Sequence, residues 1–217
     1  MFLIAIQEDL AKHTMRIKNS DQVLDSWWSD FNRVPTLRSN KIKNLILNNE
    51  GFNWGLLNLA FPEKSSLRLA NIIDNDISDD SDLWWNEERK EHLYEQMSES
   101  HKLDLHKMLQ GTSYSYGTVY RRMRKGRSMA ELRTDGFAGC LRTPKGGSSK
   151  QIVIRAGENK WSVRLLTPRE YARLQGVRES FKLPSNSNKG YFAMGDAVCV
   201  PVIEYIAENI LDKVYEN

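Results

Sequence analysis

At 217 residues, 40% of them apolar and 27% charged, the chain has the composition of a globular protein long enough to bury one or two cores. Its formal net charge is +3 and it has two cysteines, which lack the CxxC spacing of a zinc site and are too few for a disulfide framework. With no run of about 18 apolar residues and no leader of basic start and small-residue cleavage site, the reading is a cytoplasmic protein of a prokaryote or its phage, with no membrane partner.

The chain opens on Met1-Phe2-Leu3-Ile4-Ala5-Ile6, which reads as a short buried strand with no lead-in. An isolated apolar strand has unpaired backbone on both edges, so residues 1–15 are expected to complete a partner's sheet. Residues 16–110 read as mainly helical, most clearly from about Gln22 to Gln110. Within them Trp27, Trp28, Phe31, Phe52, Trp54, Leu56, Leu57 and Leu59 are expected in a core, because aromatic residues bury large areas. A base-stacking role for Trp27 or Trp84 is the rival. The acidic run Asp74–Asp82 lacks the glycine and closing glutamate of a calcium loop and reads as a solvated linker and helix cap. Asp82 is expected to open a long helix through Leu93, Met97, Leu105 and Met108 to a stop at Gly111, with a break near Ser98 or Ser100. His92, His101 and His106 fall in this charged helical segment and, like His13, read as solvated or core-edge histidines.

The net charge conceals a division. Residues 74–99 hold ten acidic residues against two basic, whereas residues 111–175 hold fourteen Lys and Arg against four Asp and Glu. The basic stretch is interleaved with Tyr114, Tyr116, Tyr120 and Trp161, a composition suited to a polyanion, since phosphate contacts release counterions and aromatic rings stack or wedge. A solvated charged face is the plain alternative. Residues 111–163 read as a small recognition core with loops. Tyr120–Arg127 is too dense in like charge for an isolated helix, and Arg133–Gly136 and Leu141–Lys150 are glycine-spaced. Arg121, Arg122, Arg124, Lys145, Lys150 and Arg155 are assigned to phosphates, with Tyr120 beside them. Arg133, Arg142, Thr143, Ser148 and Ser149 are assigned to loops near base edges. Pro144–Ser149 is not a nucleotide-phosphate loop, because it leads into the strand-like Gln151–Ile154 rather than opening a helix.

Residues 164–217 begin with Arg164-Leu165-Leu166-Thr167-Pro168-Arg169-Glu170-Tyr171-Ala172-Arg173-Leu174-Gln175-Gly176. Thr167 can cap a helix, Pro168 suits its first position, Glu170 can complete a capping box, and Gly176 can stop it. Three arginines, Arg164, Arg169 and Arg173, exceed what such a helix needs for itself, although Arg169, Glu170 and Arg173 suit a scaffold of ion pairs. After Gly195-Asp196-Ala197-Val198, the segment Val200–Val214 repeats Ile203, Ile206, Ala207, Ile210 and Leu211 at helical spacing, an amphipathic helix.

This pair of segments resembles the last two motifs of DNA (cytosine-5) methyltransferases, in which an Arg-x-Leu-Thr-x-Arg-Glu-x-x-Arg-Leu-x-Gly helix precedes a Gly-Asn-Ala/Ser-Val turn and a terminal helix. The family usually has Phe-Pro where this chain has Val177-Arg178, and Asn where it has Asp196. The resemblance is tight from about Tyr116 to Leu211. It implies a target-recognition domain between the strand motif and the Arg-Glu helix, a turn at Gly195, Asp196, Ala197 and Val198 beside S-adenosylmethionine, and double-stranded DNA as partner. The family's glycine-rich cofactor turn, Pro-Cys nucleophile loop and Glu-Asn-Val segment are not in this sequence. Neither Cys140 nor Cys199 follows a proline, and both read as small buried apolar residues, so no catalytic residue and no metal ligand is assigned.

The implied fold class is α+β: a helical region, a small β-rich DNA-recognition domain and C-terminal helices, lacking the complete Rossmann-like catalytic domain. The expected function is the DNA-recognising C-terminal part or subunit of a cytosine-5 methyltransferase in a restriction–modification setting. A separate N-terminal catalytic chain would bring the thiol and most of the S-adenosylmethionine site, in a split enzyme or a chain cut at that point. The alternative is a free-standing sequence-specific DNA-binding regulator or inhibitor derived from such a module. A structural helical protein with a basic tail is disfavoured by the glycine-spaced arginines.

Overall fold

The computed structural model describes residues 2–6, 16–18, 25–33, 38–49, 53–57, 62–124, 126–144 and 150–212. They fall into two compact units, residues 1–64 with 202–217, and residues 65–201.

In the first unit, β1 (Phe2–Ile6), β2 (Arg16–Lys18) and β3 (Asn53–Leu57) form an antiparallel sheet in the order β1-β3-β2. The opening strand therefore has one edge paired within the chain, Phe2 opposite Leu57 and Ile6 opposite Asn53. β3 also interrupts what the sequence reads as a helical region. Helices α1 (Asp25–Asn32) and α2 (Asn40–Leu47) contribute Phe31 and Ile46, which bury with Trp54 against Trp28 and Ile42. His13, Phe52 and Leu59 lie outside the described residues, as do the side chains of Trp27, Leu56 and Leu57.

The second unit is built on a four-stranded antiparallel sheet of β4 (Ser115–Arg124), β5 (Arg127–Arg133), β6 (Ile152–Gly157) and β7 (Lys160–Leu165), ordered β5-β4-β6-β7. β6 is covered on both faces, so it reads Ile-Val-Ile-Arg-Ala-Gly with hardly a polar alternation. On one face Val119, Ala130, Leu132, Ile152, Ile154, Ala156 and Val163 pack against α4 (Glu87–Glu95) and α5 (Glu99–Leu109) through Leu93, Met97, Leu105 and Met108. On the other, Val153 packs against α3 (Leu69–Ile72), α6 (Pro168–Leu174) and α7 (Ser187–Asp196) through Leu69, Tyr171, Ala172, Tyr191 and Met194.

Two expectations change, while the break expected near Ser98 is found. The long helix starts at Asn86, whose side chain caps Arg89 N–H, rather than at Asp82, because Trp85 is drawn onto the sheet by its N–H to the Val163 carbonyl at 2.8 Å. It breaks at 96–98, where the Gln96 carbonyl accepts from Ala130 N–H at 2.9 Å and partly covers the edge of β5. Tyr120–Arg124 is strand rather than loop: the like charges are spread along a hairpin, with Tyr120 opposite Glu131 and Arg124 opposite Arg127.

α6 begins as the sequence reads: Thr167 Oγ1 accepts from Glu170 N–H, Glu170 accepts from Thr167 N–H, and Pro168 sits in the first turn. Gly176, at φ +75°, ends it. Val177 N–H reaches the Ala172 carbonyl and Gly176 N–H that of Arg173, which closes the turn in a Schellman motif. α8 (Val200–Ile206), where Ile203 is exposed, continues into a π-helical turn, Ala207–Leu211, in which Ile210 is buried and Leu211 exposed. The run Ser187–Leu211 reaches the length and mean hydropathy, 1.2, of a membrane span. A non-helical step at 197–199 and the charges of Lys189, Asp196, Glu204 and Glu208 interrupt it as an apolar helix.

Two buried phenols lock α6 and α7 to the sheet. Tyr171 Oη accepts from Gln151 N–H and Tyr191 Oη donates to the Leu166 carbonyl, each at 2.6 Å, with the rings edge-to-face at 5.0 Å. Burial pushes Tyr171 up to about 12, and burial with Tyr171 and Glu170 nearby pushes Tyr191 up to about 12. An unfolded tyrosine ionises near 10, so the stability these phenols contribute is complete below about pH 10 and is lost as pH rises towards 12. Denaturant unfolding followed upward from neutral pH should show that loss, and Tyr191→Phe should flatten it. In the other core, Leu105→Ala at a 1% exposed position should cost about 2 to 5 kcal/mol in the same measurement.

Candidate nucleic-acid interface

The last residue of β4 paired with β6 is Val119, opposite Ile152. Beyond it, Tyr120–Arg124 has only β5 as partner, so a two-stranded ribbon of residues 120–131 extends past the end of β6. This explains its sequence: the apolar pattern stops where the neighbouring strand stops, and Arg122, Arg124 and Arg127 are exposed there.

Alternation then sorts the ribbon's side chains. Thr118, Tyr120, Arg122 and Arg124 share one face with their cross-strand partners Arg133, Glu131, Met129 and Arg127. The loop after β5 lies over this face. Thr118 Oγ1 donates to the Phe137 carbonyl at 3.0 Å, and Gln151 Nε2 donates to the Cys140 carbonyl at 3.3 Å. Between ribbon and loop is a cavity of about 380 Å³ lined by residues including Tyr120, Arg122, Glu131, Arg133, Cys140 and Arg142. The guanidiniums of Arg122 and Arg142 stand 5.3 and 5.8 Å from the Tyr120 ring centroid, so the tyrosine is a cation-flanked platform.

The cations are not bare. Glu131 holds Arg124 at 2.6 Å and Arg122 at 3.4 Å. Arg133 pairs with Asp135 at 2.6 Å, which raises the arginine and lowers the carboxyl through the hydrogen bond they share. Exposed pairs of this kind are worth little to stability and can be exchanged for a phosphate. Sequence reading missed Glu131 and Asp135 as built-in counter-ions; their only signal is cross-strand or local register, legible once the hairpin is known.

The other candidates are dispersed. Arg121 points to the opposite face of the ribbon, in register with Ala130. Arg155 is set apart, paired with Asp79 at 2.5 Å and held between the rings of Trp84 and Tyr114 at 4.6 and 4.7 Å. Lys150 donates to Asn188 Oδ1 at 2.8 Å and covers the Tyr191 ring at 4.3 Å. Thr143 lies in the loop over the ribbon face, and Lys145, Ser148 and Ser149 lie outside the described residues. Cys140 and Cys199 are exposed, not buried: each sits in a link between elements, where no strand or helix face turns it inward.

The motif arginines are all engaged in the fold. Arg164 and Glu170, 1% and 0% exposed, form a bidentate pair with both contacts at 2.7 Å. Glu170 also accepts from Thr167 N–H at 2.7 Å and Asp74 N–H at 2.8 Å, so each carboxylate oxygen receives two donors. Arg173 grips Glu179 at 2.8 Å and the Ile72 carbonyl at 3.1 Å, and Arg169 donates to the Phe181 carbonyl at 2.7 Å. Gly195 and Asp196 complete the last turn of α7 rather than forming a separate turn, and Ala197 leaves it extended. A Cβ on Gly195 would stand 2.5 Å from Thr143 N and 2.6 Å from Arg142 C, so only glycine lets α7 press against the backbone of the loop after β5. Asp196 and Val198 are exposed beside it.

A family model described as C-5 cytosine-specific DNA methylase matches residues 1–212. The type II methyltransferase M.HpaII of Haemophilus parainfluenzae is 38% identical over 60 residues, 28% of this chain and 17% of that protein. M.NlaX of Neisseria lactamica is 42% identical over 62 residues, 29% of this chain and 19% of its own length. M1.ScrFI of Lactococcus lactis subsp. cremoris is 47% identical over 49 residues, 23% and 13% of the two chains. The chain thus matches less than a fifth of the length of these relatives.

Glu170→Gln removes the charge facing the fully buried Arg164, and breaking a buried pair by one partner should cost about 3 to 5 kcal/mol. Chemical denaturation of the variant beside wild type measures it.

Proposed function

Because the chain belongs to the C-5 cytosine-specific DNA methylase family, we propose that it is the DNA-recognising C-terminal part of a DNA cytosine-5 methyltransferase. It acts with a separate part that supplies the nucleophile and most of the S-adenosylmethionine site, and together they methylate cytosine in a specific duplex site. The observation that carries this reading is the cation-flanked cavity on a projecting two-stranded ribbon. A major groove about 12 Å wide admits such a ribbon, and Arg is suited to guanine edges there. The type II class of the relatives supports a place among the modification enzymes of restriction systems.

In this reading Tyr120 is the stacking platform and Arg122 and Arg142 reach base edges or phosphate beside it. Arg124 and Arg133 exchange Glu131 and Asp135 for phosphate, and Thr143 offers a hydroxyl to the same strand. S-adenosylmethionine, when bound, supplies the methyl group; Asp196 and Val198, exposed at the end of α7, fit an edge contact to it, with the remaining walls outside this chain. A thiolate must add to the cytosine ring before the methyl group can be accepted. Neither Cys140 nor Cys199 follows a proline, which supports a nucleophile from elsewhere.

Transfer of radiolabelled methyl groups to mixed-sequence duplex DNA tests the reading, with this chain alone and with a catalytic part carrying a Pro-Cys loop. Transfer only with the partner is expected. Transfer by this chain alone would overturn the assignment of the nucleophile, and duplex binding without transfer in either case would favour a free-standing regulator. In the binding assay, Arg142→Ala should cost about 1 to 3 kcal/mol on the preferred sequence and much less on others if it reads a guanine. Equal loss on every sequence would make it a phosphate contact.

A further inference from the structure

The reverse face of the ribbon carries a second cationic feature. A cleft of about 370 Å³ lies between α4, β4 and α7, with Arg89, Arg121 and Lys150 among its lining and Pro144, Asn188 and Phe192 beside them. The recorded lining includes no carboxylate, unlike the cavity on the opposite face, where Glu131 neutralises the arginines.

Arg89 is the informative member. It belongs to an acidic helix, yet no carboxylate is recorded against it among the described residues. Its guanidinium carbon instead stands over the Trp85 ring, 3.7 Å from the centroid, and Trp85 is buried in the core. This contact fixes the charge in place, as Asn188 and Tyr191 fix Lys150. Burial lowers Arg89, and the nearby charge of Arg121 lowers it further. A planar fork fixed by stacking and a compact ammonium are complementary ways to hold a phosphate.

We propose that the Arg89–Arg121–Lys150 cleft seats a backbone phosphate of the duplex whose groove receives the ribbon. A ribbon in a groove has a phosphate strand along each side, and here both of its faces are cationic. The proposal rests on the reading of the chain as a DNA-recognising module, and it gives α4 a role in binding. Such a contact carries no sequence information.

The test is equilibrium binding of labelled mixed-sequence duplexes across a salt series. Arg89→Gln should weaken binding on all sequences alike and reduce the slope of log affinity against log salt by roughly 0.9. Arg89→Lys should keep the slope, since it keeps the charge. Lys150→Gln reads the same cleft without touching the Trp85 stack, should Arg89→Gln fail to fold. Wild-type binding with slope and affinity unchanged in Arg89→Gln and Lys150→Gln would overturn the cleft and leave the DNA reading standing, whereas no duplex binding by wild type would overturn both. If inorganic phosphate protects wild type but not Arg89→Gln from thermal unfolding while duplex binding is the same in both, the cleft is a free-anion site and the nucleic-acid assignment falls.

Discussion

The second unit depends on one buried ion pair. Arg164 leaves the end of β7 and meets Glu170 in the first turn of α6, and both are cut off from water. Two charges in such surroundings are tolerable only when their geometry is bidentate and the remaining lone pairs are satisfied. Here the Thr167 and Asp74 amides complete the carboxylate's shell. The pair therefore fixes three things at once: the angle at which α6 leaves the sheet, the start of the acidic segment, and the surface on which α7 packs. Through α7 and Gly195 that constraint reaches the loop after β5, whose Arg142 backbone has no room for a side chain opposite it.

The charge balance has a different meaning in three dimensions. A surplus of basic residues in 111–175 suggests a uniformly cationic surface, but several of those residues are occupied. Arg164, Arg169 and Arg173 hold the fold, Arg155 is tied to Asp79 and two rings, and Arg122 and Arg124 share Glu131. The exposed Arg122, Arg124 and Arg127 are brought together on the ribbon by the point at which β6 stops accompanying β4. Fewer arginines than the count implies are free to meet a polyanion, but their positions are better defined.

Helix α6 was the most legible element, because its signals are local: Thr167, Pro168 and Glu170 start it and Gly176 ends it. The helical pair after Asn86 was legible in kind but not in its start, since the position of Trp85 is set by a distant strand. The hairpin was not legible, because the favourable facing of Tyr120–Arg124 and Arg127–Glu131 depends on register between two segments that each look like unpaired charge. The exposed cysteines were misread for the same reason. Size and polarity give an average tendency to burial, but the environment of Cys140 is set by a loop crossing a sheet. Of the candidate interface, residue types and region were legible, while the grouping of Tyr120, Arg122 and Arg142 and the separation of Arg155 from them needed the topology.

The way the ribbon leaves the sheet separates two kinds of change in this sequence. Residues 120–131 pair with one another rather than with β6 beyond Val119, and a two-stranded ribbon twists more readily than a wide sheet. Substitutions at its exposed positions alter the surface offered to a target while leaving Ile152, Ile154, Val163 and the Arg164–Glu170 pair untouched. Exposed positions of the ribbon can thus change by single steps, each nearly neutral for folding.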